Sequence, residues 1–189
     1  MKQARTLNSK QIKQVLAHCA TRKHAARDRA IVLISFLAGL RAKEIAALML
    51  ANVRDSEGNV RDEFTLSPEQ TKGRKVRRVF VNTRMKKELE TYLSSATFRA
   101  NCPALFQSQK GTNFSANTMC QLLLTIFDNA GLEDATSHSG RRTFLTGMAA
   151  KGVGVRVLAE LAGHSSISTT QKYLDVNDKQ LRAAVELIF

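Results

Sequence analysis

Between Thr136 and Tyr173 the chain reads TSHSGRRTFLTGMAAKGVGVRVLAELAGHSSISTTQKY, which gathers two histidines, two adjacent arginines and a tyrosine into one short stretch. Such a set suits phosphate chemistry. Guanidinium groups give paired, charge-assisted hydrogen bonds to phosphate oxygens, imidazoles move protons near neutrality, and a phenol is a nucleophile once its proton is taken. Capped by Thr136 or Ser137, a helix would run to about Ala150 and carry His138 and Arg141 three residues apart, side by side on one face. Gly152 and Gly154 would break it, VRVLAELAG reads as a second helix stopped at Gly163, and His164 follows at that stop. Ser165 to Ser168 offers caps for a further turn or two that brings Tyr173 around.

HSGR followed by LAGHSSISTTQKY, with nine residues from His164 to Tyr173, resembles the active-site signature of the tyrosine recombinases, the phage-integrase family. The earlier LAGLRAKEIAAL resembles that family's first arginine motif, and TKGRKVRRVFV is similar to its lysine-bearing β-hairpin. Any one of these motifs arises by chance in many helical proteins, whereas three in the right order cover nearly the whole chain.

The resemblance implies a role for each residue. Arg41 and Arg141 would clamp the scissile phosphate, with His164 adding a bond. Tyr173 would attack the phosphorus to leave a 3′-phosphotyrosine link, His138 would accept its proton, and Lys72 would protonate the leaving 5′ oxygen. Lys72 rather than Lys75 matches the motif's position. The plain alternative for Arg41 is a salt bridge with Glu44, three residues on, and the two roles coexist where Glu44 holds Arg41 in place; Arg74, Lys75 and Arg142 extend the cationic set toward DNA. A tyrosine on an amphipathic helix is more often a core residue, but Thr169, Thr170, Gln171 and Lys172 are polar and favour an accessible site. The sequence departs from the family pattern at Arg142, where a histidine or lysine is usual, and at Gly140, where leucine is usual.

Composition points the same way. Lys plus Arg number 29 against 16 Asp plus Glu, a net charge of +13 that is spread along the chain rather than collected in a tail. So large an imbalance costs self-repulsion in the compact state, which a polyanion relieves, so nucleic acid is the expected partner, and the resemblance implies that it is double-stranded DNA. Cys19, Cys102 and Cys120 are odd in number and widely spaced, suggesting neither a disulfide framework nor a zinc site. No metal or other cofactor is expected: the cations are side chains, and exchanging a phosphodiester for a phosphotyrosyl ester is close to balanced in energy. The apolar run Ala30 to Ala38 is too short to span a bilayer and no signal peptide opens the chain. No membrane partner is therefore expected, and a cytoplasmic, nucleoid-associated location is.

The elements that must position these residues read as an α+β, mainly helical fold with a small antiparallel sheet of about three strands, the tyrosine-recombinase catalytic fold by resemblance. Asn8 and Gln11 resemble a capping box ahead of the stripe Ile12, Val15, Leu16 and Cys19. AIVLISFLAG reads as a buried central helix stopped at Gly39, and Arg41 begins the next, with Ile45, Leu48 and Met49 inward. NVRDSEGNV, DEFTLSPEQ and KVRRVFVN read as strands with glycine-bearing turns. Helices are expected at Thr83 to Ser95, from Ser115 to Gly131, and from Asp178, where Leu181, Ala184, Val185 and Ile188 share a stripe.

At 189 residues, with no repeat or linker, the chain is expected to form a single catalytic domain without the N-terminal core-binding domain of longer relatives, either as a fragment of such a protein or in resemblance to the short recombinases that act without that domain. By resemblance it would be a monomer when free and a homotetramer on paired recombination sites. Two rival readings share the fold, a type IB topoisomerase and a catalytically silent DNA-binding regulator. The spacing of LAGHSSISTTQKY speaks against the first and the completeness of the residue set against the second.

Overall fold

The computed structural model describes residues 3–173 together with Arg182, Val185 and Glu186. The helix expected from Asp178, with Leu181, Ala184 and Ile188, lies for the most part outside the described residues.

Helix α1 (Ser9–Ala20) opens with the expected capping box, the Asn8 side chain accepting from Gln11 N–H while the Gln11 side chain accepts from Asn8 N–H. It buries Val15, Leu16 and Cys19. Helix α2 (Ala25–Ala38) is the core's axis, fully enclosed from Ala30 to Phe36 and packed against α1 and two later helices. Its stop is Gly39, at φ 59°, a left-handed turn that glycine adopts without a Cβ clash. The turn delivers Arg41 as the N-cap of α3 (Ala42–Ala46). That helix is shorter than its sequence pattern suggests. Ile45 and Leu48 are buried, but the chain turns outward after Ala46, leaving Met49 46% exposed and bridged to Ala104.

The sheet among the described residues has two strands, β1 (Glu63–Leu66) and β2 (Arg77–Phe80), antiparallel with Phe64 opposite Val79. The segment expected to supply a third strand instead forms a helical turn, α4 (Leu50–Val53), and a tight loop closed by an Arg54–Val60 bridge. Asp55 Oδ1 accepts the N–H groups of Glu57 and Asn59 at 3.0 and 2.8 Å, so donors that a strand would share with a neighbour are taken by a side chain.

Helices α5 (Thr83–Ser95) and α6 (Ala116–Asn129) are capped by Asn82 and Ser115 and bury Met85, Leu89 and Tyr92, and Met119, Leu123, Ile126 and Phe127. Between them Leu105 and Phe106 anchor a loop in the core. Helices α7 (Ser139–Ala150), α8 (Val155–Ala162) and α9 (Ile167–Gln171) complete the described fold. Leu145, Leu158 and Ala162 form a satellite core beneath them, on which Tyr173 packs. Helix α7 lies directly on α2. No helix among the described residues is long and apolar enough to cross a membrane.

Candidate active site

The site is assembled where two helices end. α2 stops at Gly39 and α8 stops at Gly163, φ 60°, so their last carbonyls, the negative poles of the helix dipoles, face the same space. Two buried arginines fill it. Arg141, 3% exposed, donates from Nη1 to Gly39 O and from Nη2 to Ala162 O, both at 2.7 Å. Arg77 donates from Nη2 to Ala38 O at 3.0 Å and to Leu161 O at 2.6 Å. Adjacent carbonyls at each helix end thus go to neighbouring guanidinium groups.

Arg141 also donates from Nη2 to His164 Nε2 at 2.8 Å. A guanidinium has no acceptor, so Nε2 holds the lone pair and the imidazole proton sits on Nδ1, which donates to the buried Thr170 Oγ1 at 2.8 Å. His164 is therefore neutral here. Burial, then the charges of Arg141, Arg41 and Arg77, push its pKa down from 6.5 to about 4. Arg141's own pKa is driven down from its ordinary value by burial and then by Arg41 and Arg77.

Arg41 stands at the edge of this buried set, partly exposed. Its Nη1 donates to Glu44 Oε1 at 2.7 Å, and its backbone N–H donates to Glu44 Oε2 at 2.9 Å. The carboxylate thus meets Arg41 at both its guanidinium and its backbone. Glu44 is fully buried, and Arg77 Nη1 donates to its second oxygen at 2.5 Å.

His138 is the N-cap of α7 rather than a residue within it, and neither Thr136 nor Ser137 caps the helix. Thr136 Oγ1 accepts instead from His138 N–H, and Ser139 Oγ accepts from Thr136 N–H, a local turn that starts the helix later than the sequence suggests. The cap position leaves His138 open to solvent, with Nδ1 3.4 Å from Ser137 Oγ. Partial desolvation of the ring, then the charges of Arg141, Arg41 and Lys72, lower its pKa.

Lys72 is exposed in the β1–β2 loop. The loop's base is fixed: Gln70 Nε2 donates to Ala47 O and Asn52 Oδ1, and Thr71 Oγ1 accepts from Lys75 N–H. Its tip, Lys72 to Val76, lies in solvent, and Arg74 takes a left-handed φ of 50°. Lys72 is near enough for its charge to act on His138, and Arg74 and Lys75 are exposed on the same tip.

Tyr173 is half-buried. Its ring lies parallel to that of His164, centroids 6.0 Å apart at 17°, and Arg142 Cζ sits 5.6 Å from its centroid. A cation–π contact at a partly exposed site is worth about 0.5–1 kcal/mol, so the phenol is oriented without being locked.

Arg41, His138, Arg141, His164 and Tyr173 are thus brought together, with Lys72 above them on a loop. Sequence reasoning assigned Arg77 no role beyond its place in the expected strand KVRRVFVN. The strand alternation held the signal, because Arg77 shares the inward parity of Val79.

A model of the phage integrase family matches residues 5–180. Tyrosine recombinase XerA of Pyrococcus furiosus is 33% identical over 167 residues, 87% of this chain and 55% of that protein. Tyrosine recombinase XerD of Neisseria meningitidis is 29% identical over 185 residues, 95% of this chain and 61% of that protein. The chain therefore spans a little over half the length of these relatives. The crystal structure of XerA recombinase superposes with a TM-score of 0.78 at 25% identity over 99% of this chain and 66% of that one. The fold is shared with XerH site-specific recombinase, solved as a post-cleavage complex on a palindromic difH substrate, at a TM-score of 0.71, 22% identity, and 95% and 51% coverage.

Proposed function

The chain belongs to the phage integrase family, and from that premise we propose that it is a tyrosine-type site-specific recombinase that cuts and rejoins double-stranded DNA through a 3′-phosphotyrosine. The observation that carries the reading is the convergence of two arginines, two histidines and a tyrosine, drawn from α3, α7, α8 and the turn after α9, on one partly buried cationic centre. XerA and XerD, the relatives it resembles, are named tyrosine recombinases.

In this reading the residues described form the catalytic domain. Arg41 and the uncommitted N–H groups of Arg141 meet the nonbridging oxygens of the scissile phosphate and stabilise the charge that grows there on attack. Tyr173 supplies the attacking oxygen, its phenol proton leaving as the bond to phosphorus forms. His138, exposed and held neutral by its neighbours, takes the phenol proton. Lys72, carried on the loop tip, gives a proton to the departing 5′ oxygen. His164 orients Arg141 through Nε2, and contacts phosphate itself only when that nitrogen gains a proton, which an adjacent phosphate anion favours. Arg142 steadies the Tyr173 ring. Arg74 and Lys75 lie on the loop nearest to where DNA backbone would run. Residues and DNA together perform every step, with no cofactor. Recombination proper takes two sites and a homotetramer, each protomer exchanging one strand.

A duplex nicked close to the scissile phosphate tests this. Loss of the short fragment traps the Tyr173 adduct on DNA, and transfer of the trapped strand to a second duplex shows recombination. A protein that binds the duplex and traps nothing is a DNA-binding module, and one that traps and relaxes supercoils without strand transfer is a topoisomerase.

A further inference from the structure

The resemblance gives Arg77 no role, yet it is 4% exposed and bonded to three elements at once. Nη1 donates to Glu44 Oε2 on α3 at 2.5 Å, Nη2 donates to Ala38 O at the end of α2, and Nε and Nη2 both donate to Leu161 O at the end of α8, at 3.2 and 2.6 Å. The other Glu44 oxygen serves Arg41. One buried carboxylate thus holds two arginines, of which Arg41 reaches the surface and Arg77 does not. A Cβ at Gly163 would lie 2.9 Å from Arg77 Cδ, so the left-handed stop that precedes His164 packs directly on the Arg77 stem.

We infer that Arg77 is a positioning residue for the phosphate clamp. It fixes the plane of the Glu44 carboxylate, and through it the Arg41 fork, while tying the end of α8, and so His164, to the same frame. Both carboxylate oxygens already meet Arg41, Oε1 its guanidinium and Oε2 its backbone N–H, so what Arg77 adds is a charged donor from another element that ties the pair to the ends of α2 and α8. Three acceptors on three elements need a planar fork, which a lysine's point charge cannot reproduce. The inference rests on the reading of Arg41 and Arg141 as a clamp on DNA phosphate.

The test is single-turnover cleavage of a nicked duplex by the wild type, Arg77→Met, Arg77→Lys and the double variant Arg77→Met with Glu44→Gln. Each is assayed on a normal scissile phosphate and on a neutral methylphosphonate at that position, with duplex affinity measured separately. The double variant leaves no unpaired buried carboxylate and guards against misfolding, judged by circular dichroism and melting. Arg77→Met, Arg77→Lys and the double variant are each expected to cleave the normal duplex on the order of 10- to 100-fold more slowly than the wild type. Duplex affinity should stay within about threefold, and the deficit should shrink on the methylphosphonate, where there is less charge for a misplaced clamp to neutralise. A folded double variant that cleaves at the wild-type rate overturns the inference, and so does a deficit equal on both substrates, which marks a structural effect. If the wild type itself traps no Tyr173 adduct, the recombinase reading falls and this inference falls with it.

Discussion

Gly140 on α7 faces Ser35 on α2 across a gap too narrow for a methyl group: a Cβ at position 140 would lie 2.8 Å from Ser35 Cβ and 3.0 Å from its carbonyl carbon. The departure from leucine at this position therefore has a packing reason, the close crossing of α7 on the central helix. Gly140→Ala should cost about 1–3 kcal/mol in denaturant unfolding by overpacking. Ser35→Gly in the same chain should recover part of it, and strictly additive losses in that double-mutant cycle would show that the two residues do not share the gap.

The low pKa of His164 makes stability depend on pH in a defined window. The unfolded imidazole binds a proton below about 6.5, while the folded one resists until about 4. The unfolded chain therefore binds more protons in between, so stability is full above about pH 6.5 and falls as pH drops toward 4. His164→Gln keeps an acceptor for Arg141 and removes the titration. Its unfolding free energy should fall less steeply between pH 6.5 and 4 than that of the wild type, and parallel curves would place the titration elsewhere.

Tyr173→Phe keeps the ring that stacks on His164 and lies under Arg142, and deletes the hydroxyl. Duplex affinity should change by less than about threefold while trapped adduct disappears. An adduct formed by this variant through another side chain would remove Tyr173 from its role.

Arg141→Lys replaces a fork bonded to Gly39 O, Ala162 O and His164 by a single ammonium. Cleavage should fall by about 10²-fold or more, as for a lost oxyanion donor. The melting temperature should fall as well, because the ends of α2 and α8 lose a shared partner. Unchanged melting with lost cleavage would separate the two roles of this arginine.

Much of the fold was legible because its signals are local. The Asn8–Gln11 capping box, the left-handed stops at Gly39 and Gly163, and the bounds of Thr83–Ser95 depend on near neighbours, and the structure has each of them. What was not legible depends on competition or distance. Asp55 diverts strand donors into its own loop, Met49 turns outward after a short helix, and His138 becomes a cap because Thr136 Oγ1 takes the His138 N–H while Ser139 Oγ takes the Thr136 N–H. Arg41, Arg141, His164 and Tyr173 were placed by motif, but the bond from Arg141 that makes His164 an acceptor spans 23 residues and leaves no local trace. Arg77 was hidden for a similar reason, since its partner Glu44 lies 33 residues earlier.

The carbonyls of Ala38, Gly39, Leu161 and Ala162, with the Glu44 carboxylate, surround Arg77 and Arg141 with internal negative charge. In a chain of net charge +13, so close a group of cations would otherwise repel itself open. The protein thus carries its own surrogate for a phosphate, and the centre stands assembled before any substrate arrives. On the proposed reading, folding and loading are then separable events: nucleic acid would displace water and counter-ions from a finished surface instead of ordering an unfinished one, so little of its binding energy would go into building the centre.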